Sequence, residues 1–441
     1  MAHHSLFAAA SHLIGVGALS ALLCATSAFA QDGDGDGVPD SSDNCPLIAN
    51  PKQTDCDANG VGDVCDIAAG ADADCDSNGT LDRCDIYLNG AADANQNCVP
   101  DACESAFGDF DLDGSVGSDD ISVVLASWGL KGSSADLSGN GVVDGDDLAT
   151  LLSNWGDSPF AKGNCNVLPW ATTLEHWPDP AVVTNESLRN AIIATGYPWR
   201  VRDDSSQIEM LLVPGGTFEM GCIQGSNQYG CFSQELPVHI VTLTNAYYIG
   251  RYEVTQAQWQ AKMGSNPSYF QDQSDSPSRP VEQVSWNTIQ NFLAATGLRL
   301  PSDAEWEFAC RAGTTTPFHS MPGYPNGTTD DTLVTNIAWY YYNTCEGGDG
   351  CRTHAVGGKA ANALGLHDMS GNVWEWVNDW YADYSSGAQV DPTGPISGSY
   401  RVLCGGGWYY DTNTLRSSYR SGVAPDLSYD EIGFRVARAP Q

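Results

Sequence analysis

The chain has 441 residues, with 19 Lys+Arg against 55 Asp+Glu and a formal net charge of −36. Contacts to phosphate need clustered cations, so this balance disfavours a nucleic-acid binder and a helper at an anionic membrane surface. The charge is uneven: residues 31–160 hold 27 acids and 3 bases, whereas residues 161–441 hold 28 and 16. With 42% apolar residues at this length, two or three domains are expected, at least one with a real core.

Residues 12–25 are almost wholly apolar and precede Ala28-Phe29-Ala30. This is the pattern of a secretory signal peptide over 1–30. It predicts a secreted protein, extracellular or periplasmic, with no membrane span. Export makes disulfides the default use of the 14 cysteines after Cys24. Cys222/Cys231 and Cys345/Cys351 are expected to close local loops.

Within residues 31–104, residues 55–104 repeat with a 19-residue period, and a similar segment precedes them from residue 32. A 12-residue calcium loop wants side-chain oxygens at positions 1, 3, 5, 9 and 12 and glycine at position 6. Asp32, Asp34, Asp36, Asp40 and Asp43 fill one such loop around Gly37. Asp55, Asp57, Asn59, Asp63 and Asp66 fill a second around Gly60. Asp74, Asp76, Asn78, Asp82 and Asp85 fill a third around Gly79. Asp93, Asn95, Asn97, Asp101 and Glu104 fill a fourth, where Cys98 replaces the glycine. Crowded carboxylates repel, so bound Ca²⁺ and disulfides are expected to do the work of a core here. Asp43-Asn44-Cys45-Pro46, Asn50-Pro51-Lys52-Gln53 and Gly62-Asp63-Val64-Cys65-Asp66 resemble thrombospondin type 3 repeats, closely over 32–66 and more loosely over 67–104.

Residues 105–157 change character. Asp109, Asp111, Asp113 and Asp120 start one loop, with Gly117 at position 9, and Asp136, Ser138, Asn140, Asp144 and Asp147 start another 27 residues later. Each is followed by a helical apolar pattern and a glycine stop, ending in Trp128-Gly129 and Trp155-Gly156. The pair resembles a dockerin, a duplicated EF-hand-type loop–helix module. That resemblance implies calcium-dependent docking onto a cohesin-type partner; a calcium-stiffened spacer is the competing reading. Residues 158–206, with five prolines, read as a linker containing a short helix that begins at Thr184 or Asn185.

From residue 207 to 441 a series of motifs follows. Met210-Leu-Leu-Val-Pro-Gly-Gly-Thr-Phe-Glu-Met-Gly221, Tyr248-Ile-Gly-Arg-Tyr-Glu-Val-Thr255 and Arg299-Leu-Pro-Ser-Asp-Ala-Glu-Trp-Glu307 come first. Gly365-Leu-His-Asp-Met-Ser-Gly-Asn-Val-Trp-Glu-Trp376, Gly405-Gly-Gly-Trp408 and Gly433-Phe-Arg435 come after. In this order they resemble the formylglycine-generating enzyme (sulfatase-modifying factor) family. The resemblance implies an α+β fold of the C-type-lectin-like kind with two bound Ca²⁺ ions. The expected architecture is therefore multidomain: calcium-loop repeats with little regular structure, a small α module, then this α+β domain. One ion maps onto Asp368 and Glu375 with the carbonyls of Gly371 and Val373. The other maps onto Asn336, the Ile337 carbonyl and Asp349. Family oxidases hold copper(I) through two cysteines after the glycine motif, and copper(I) needs soft thiolates. Those positions are Tyr410 and Leu415, and the motif serine is Gly407. Copper is therefore not expected. Cys310 and Cys404 are expected as reduced thiols or as one disulfide.

Three functions compete. The first is a secreted non-oxidase that binds a cell-surface protein or glycan through aromatic-rich loops (Trp339–Tyr342, Trp380, Tyr381, Tyr384, Trp408–Tyr410). The second is an oxidase making formylglycine on a sulfatase cysteine. The third is a dockerin-borne component of a polysaccharide-degrading assembly.

Overall fold

The computed structural model describes residues 32–56, 60–69, 73–87, 89–94, 98–157, 168–223, 230–347 and 350–440. The expected signal peptide lies outside them. The chain divides into two units, the first ending at Gln53 and the second beginning at Thr54. In the first unit, residues 32–43 form a loop closed by its own carboxylates. Asp32 accepts the N–H groups of Gly35 and Gly37, and Asp40 accepts that of Gly33.

The second unit opens with three short helices, α1 (Asp63–Ala69), α2 (Asp82–Tyr87) and α3 (Asp101–Phe107). They recur every 19 residues, and each starts on the aspartate at loop position 9, where a carboxylate complements the helix N-terminus. The repeats therefore carry more regular structure than expected. Cys56–Cys84 and Cys75–Cys103 are disulfides, each joining one repeat to the next across 28 residues.

Next come β1 (Ser115–Val116), α4 (Ser118–Ala126), α5 (Gly145–Ser153) and β2 (Gly156–Asp157). The two halves hold each other reciprocally. Val116 of the first loop pairs with Gly156 behind the second helix, and Val143 of the second loop bonds Gly129 behind the first. Val116, Val124, Ala135, Val143 and Leu151 form a small shared core.

The large domain starts earlier than its motifs suggest. β3 (Ala171–Glu175), α6 (Glu186–Ile193) and β4 (Arg200–Asp203) fall where a linker is expected. Yet β3 and β4 complete a five-stranded antiparallel sheet, ordered β14-β8-β5-β4-β3, with β5 (Glu209–Val213), β8 (Tyr247–Gly250) and β14 (Ala437–Arg438). Leu168, Val183, Ile192, Trp199 and Val201 join the main core. The linker reading thus fails for 168–206, because these residues bury apolar side chains and pair with the domain's strands. The helix is as expected, capped by Asn185 on the Leu188 N–H.

β6 (Gly216–Met220) and β7 (His239–Leu243) pair antiparallel, with β10 (Gln389–Val390) parallel to β7. The third sheet is ordered β12-β11-β9-β13, from β9 (Trp374–Trp380), β11 (Arg401–Cys404), β12 (Arg420–Val423) and β13 (Ile432–Gly433). Helices α7 (Gln256–Met263), α8 (Trp286–Thr296), α9 (Asp303–Arg311) and the single turn α10 (Tyr341–Thr344) complete the domain. Ser285 and Ser302 cap α8 and α9, and Glu305 closes a capping box with Ser302. Trp259 and Phe292 stack at 5.4 Å, and Phe434 meets Phe292 edge-on at 5.6 Å, in a core that also encloses Trp306 and Trp376. Among the described residues, no helix is long and apolar enough to cross a membrane.

Candidate functional site

The acidic loops share one geometry. All six residues at loop position 6 have left-handed backbone: Gly37, Gly60, Gly79, Gly114, Gly141 and, without a glycine, Cys98 at φ +65°. Each donates its N–H to the carboxylate at position 1 (Asp32, Asp55, Asp74, Asp109, Asp136, Asp93) at 2.7–3.2 Å. In the first four loops Asp40, Asp63, Asp82 and Asp101 clamp the N–H of the second loop residue at 2.6–2.8 Å. In the last two loops the position-12 carboxylate takes over. Asp120 accepts from Phe110 and Gly117, and Asp147 from Ser138 and Asp144.

This backbone clamping turns carboxylates inward. Oxygens of Asp32, Asp34 and Asp36 lie within 4.8 Å of one another, as do those of Asp109, Asp111 and Asp120. Asp63, Asp82, Glu104, Asp109, Asp120 and Asp147 are almost wholly buried. One oxygen each of Asp34 and Asp43 is enclosed with no protein partner. Burial raises the Asp63 and Asp109 carboxyls above their ordinary range. Clustered hard oxygens of this kind fit a Ca²⁺ ion. The remaining expected ligands sit in local turns. Asp76 and Asp85 accept from Asn78, Asp113 from Ser115, Asn140 from Val142, and Asp144 from Asp146. Asp57, Asn59, Asn95, Asn97 and Asp349 lie outside the described residues.

In the large domain the loop before β9 is held by unusual backbone. Asp368, Gly371 and Asn372 all have positive φ. A Cβ on Gly371 would stand 2.3 Å from the Trp339 carbonyl oxygen, so only glycine fits. Asp368 accepts the Gly357 N–H at 2.7 Å, while its other oxygen is buried without a partner. Burial pushes this carboxyl up to about 6. Asp368 therefore fits a hard cation. Glu375 does not. Both its oxygens bond Arg435, at 2.6 Å each, and one also accepts from Trp306 Nε1 at 2.7 Å. The ligand role expected for Glu375 is not the arrangement found, because a fully buried guanidinium already supplies its countercharge. For the other expected site, the Asn336 carbonyl accepts from Ala360, and Ile337 is buried.

Sequence reasoning missed Glu253. It is buried with no ion-pair partner among the described residues, and it accepts from Asn372 Nδ2 (2.6 Å) and the Val373 N–H (3.0 Å). Burial, then the charges of Asp368 and Glu375, push its carboxyl well above the ordinary range. A carboxylate in the mostly apolar motif Tyr248–Thr255, whose one other charge is Arg251, was the available signal.

The locus of the family's copper holds no thiol. Gly405 and Gly406 turn with positive φ, and a Cβ on Gly406 would come within 2.6 Å of Leu415. Leu415 is fully buried in a cluster with Phe318, Met321 and Tyr340. Tyr410 packs edge-on to Trp374 at 5.4 Å and donates its hydroxyl to Glu431 at 3.3 Å. Burial and Glu431 push the phenol up to about 12, so it is a neutral donor. Cys310 and Cys404 are separate, buried, reduced thiols. These residues do not fit copper(I).

Around Tyr410 runs a chain of ring contacts. Tyr409 meets Tyr341 and Trp408, Tyr341 meets Tyr342, and Trp408 meets Phe270. Tyr269, Tyr342 and Tyr409 are each more than half exposed. Tyr381 and Tyr384 stand apart from them, stacked on Arg420, and Trp380 is stacked on Arg401.

Acidic loop repeats ahead of this α+β domain define a modular protein that carries a sulfatase-modifying-type domain. The chain belongs to the family of the sulfatase-modifying factor enzyme 1-like domain, whose model matches residues 201–440. The thrombospondin type 3 repeat model matches residues 24–53. The chaperone protein LppX of Paenibacillus barcinonensis is 30% identical over 287 residues, 52% of this chain and 89% of that protein. The formylglycine-generating enzyme of Streptomyces coelicolor is 34% identical over 198 residues, and the chain covers 42% of its own length and 59% of that enzyme's. Among solved structures, Treponema denticola variable protein 1 is similar at 29% identity and a TM-score of 0.43, over 54% of this chain and 97% of that one.

Proposed function

We propose that this is an exported calcium-binding protein whose large domain binds a partner and does not oxidise cysteine. The observation that carries the reading is the pair Tyr410 and Leu415, a neutral phenol and an enclosed aliphatic side chain where copper would need two thiolates. The exposed ring surface of Tyr269, Tyr342 and Tyr409 supplies the contact area, since Tyr presents a large rigid face at low entropic cost. The partner is a cell-surface protein or glycan. The loops of residues 32–147 hold Ca²⁺ and stiffen the approach to the domain. The disulfides and the thrombospondin-type match support an extracellular or periplasmic setting. The test incubates the full chain with copper(I), O₂ and a Cys-x-Pro-x-Arg peptide. Mass spectrometry should find the cysteine unchanged; formylglycine in the product overturns the reading.

A second reading rests on residues 105–157. Leu125 and Trp128 on one half, and Leu152 and Trp155 on the other, are all about half exposed and related by the 27-residue repeat. A duplicated apolar face of this kind supports docking to a cohesin-type protein of a polysaccharide-degrading assembly. A cohesin pull-down that is empty with and without Ca²⁺ removes it.

A further inference from the structure

A cleft of about 460 Å³ lies outside the aromatic surface, within the range of small-ligand pockets. Its walls come from the start of α9 (Asp303), the end of β9 (Asp379, Trp380), the loops over 382–385 and 391–395, and the start of β12 (Arg420). Two kinds of unmet demand converge there.

The first is a carboxylate without a cation. Asp303 is spent on Arg420, at 2.8 Å, with both side chains almost fully buried. Asp379, 3% exposed, accepts the Asp303 N–H at 3.0 Å and has no ion-pair partner among the described residues. Burial and the neighbouring Asp303 push its carboxyl up to about 7. Asp383 and Asp391 add two more carboxylates to a lining whose only guanidinium is already paired.

The second demand is for an acceptor. The Tyr384 hydroxyl and the Arg420 Nε are enclosed, and neither finds a protein partner. The Tyr384 ring is fixed between His239, at 4.8 Å, and the Arg420 guanidinium, at 4.3 Å. An enclosed donor left unpaired is costly, and so is an enclosed carboxylate with no cation. One molecule meets both demands if it carries a positive charge beside an oxygen acceptor.

We propose that this cleft binds a small organic ammonium ligand with an oxygen acceptor next to the charge, the chemistry of a 1,2-amino alcohol. The ammonium group pairs with Asp379, and the oxygen accepts from Tyr384 and Arg420. Trp380 supplies an apolar wall.

The test is isothermal titration of the full chain, in Ca²⁺-containing buffer, with ethanolamine and glucosamine. Glucose and N-acetylglucosamine are the neutral controls. At least one amine should bind, and both neutral sugars should bind about tenfold more weakly or not at all, the discrimination expected of a charged hydrogen bond. Asp379→Asn should weaken the amine by about tenfold and leave binding at the aromatic surface unchanged. Should that variant fail to fold, Tyr384→Phe, which removes one hydroxyl, must weaken binding by several-fold. Two silent amines, equal binding of the neutral sugars, or unchanged affinity in the folded variants overturn the proposal.

Discussion

Arg416 and Glu235 face each other through two hydrogen bonds, 2.6 and 3.0 Å long, with neither side chain reached by solvent. Ser418 Oγ and the Phe232 N–H fill the remaining carboxylate sites. Removing one partner leaves a buried charge unpaired, so Arg416→Ala is expected to cost about 3–5 kcal/mol in urea unfolding. The double change Glu235→Leu with Arg416→Met removes both charges and should cost clearly less. A single variant within about 1 kcal/mol of the parent would contradict this.

Cys310 and Cys404 are the two free thiols among the described residues, and burial pushes Cys310 up to about 12 and Cys404 well above its ordinary value. Thiolates react and thiols do not. Native protein at pH 8 should therefore take up no iodoacetamide at either residue, and both should label after unfolding in urea. Native labelling, mapped by peptide mass spectrometry, would show an open route that the structure lacks.

The inward carboxylates of residues 32–147 predict a response to calcium. Adding Ca²⁺ to chelator-treated protein should lower the radius of gyration in X-ray scattering and raise the Tm. Asp109→Ala removes the position-1 anchor of the Gly114 N–H and should reduce the number of ions bound. Identical scattering with and without chelator would remove the cation-loop assignment.

Glu282 gives a pH dependence with a definite sign. It is fully buried and accepts the N–H groups of Tyr269 and Phe270, at 2.9 Å each, yet burial pushes its carboxyl up to about 7. Between pH 4.5 and 7 the folded chain keeps a proton that the unfolded chain has lost. This contribution to stability therefore falls as pH rises through that window, and the loss is complete above it. From pH 5 to pH 8 the parent should lose about 2 kcal/mol more than Glu282→Gln, measured in urea at fixed Ca²⁺. Parallel profiles would show that Glu282 is ionised throughout.

The loop register was readable from sequence because it rests on local chemistry, a left-handed residue at position 6 and carboxylates at fixed spacing. Even Cys98 obeys it. The motif order from Met210 to Arg435 likewise located the large domain. Residues 171–175 and 200–203 were not legible as strands, because each is short and only the sheet it joins makes it one. The partners of buried charges were hidden for a related reason. Glu235 meets a cation 181 residues away and Glu375 one 60 residues away, and spacing within a motif carries no trace of either. That is why Glu375 read as a metal ligand when its countercharge is Arg435.

The cross-links between successive repeats also set a mechanical limit. Pulled apart, residues 56 and 103 would be separated by about 160 Å of open chain. With Cys56–Cys84 and Cys75–Cys103 in place, the shortest covalent path runs across one bridge, back along the nine residues from 84 to 75, and across the other. That path can stretch to only about 45 Å. Whether or not its loops are filled, the segment is a leash of fixed length, so load along the chain cannot part residues 56 and 103 beyond that bound.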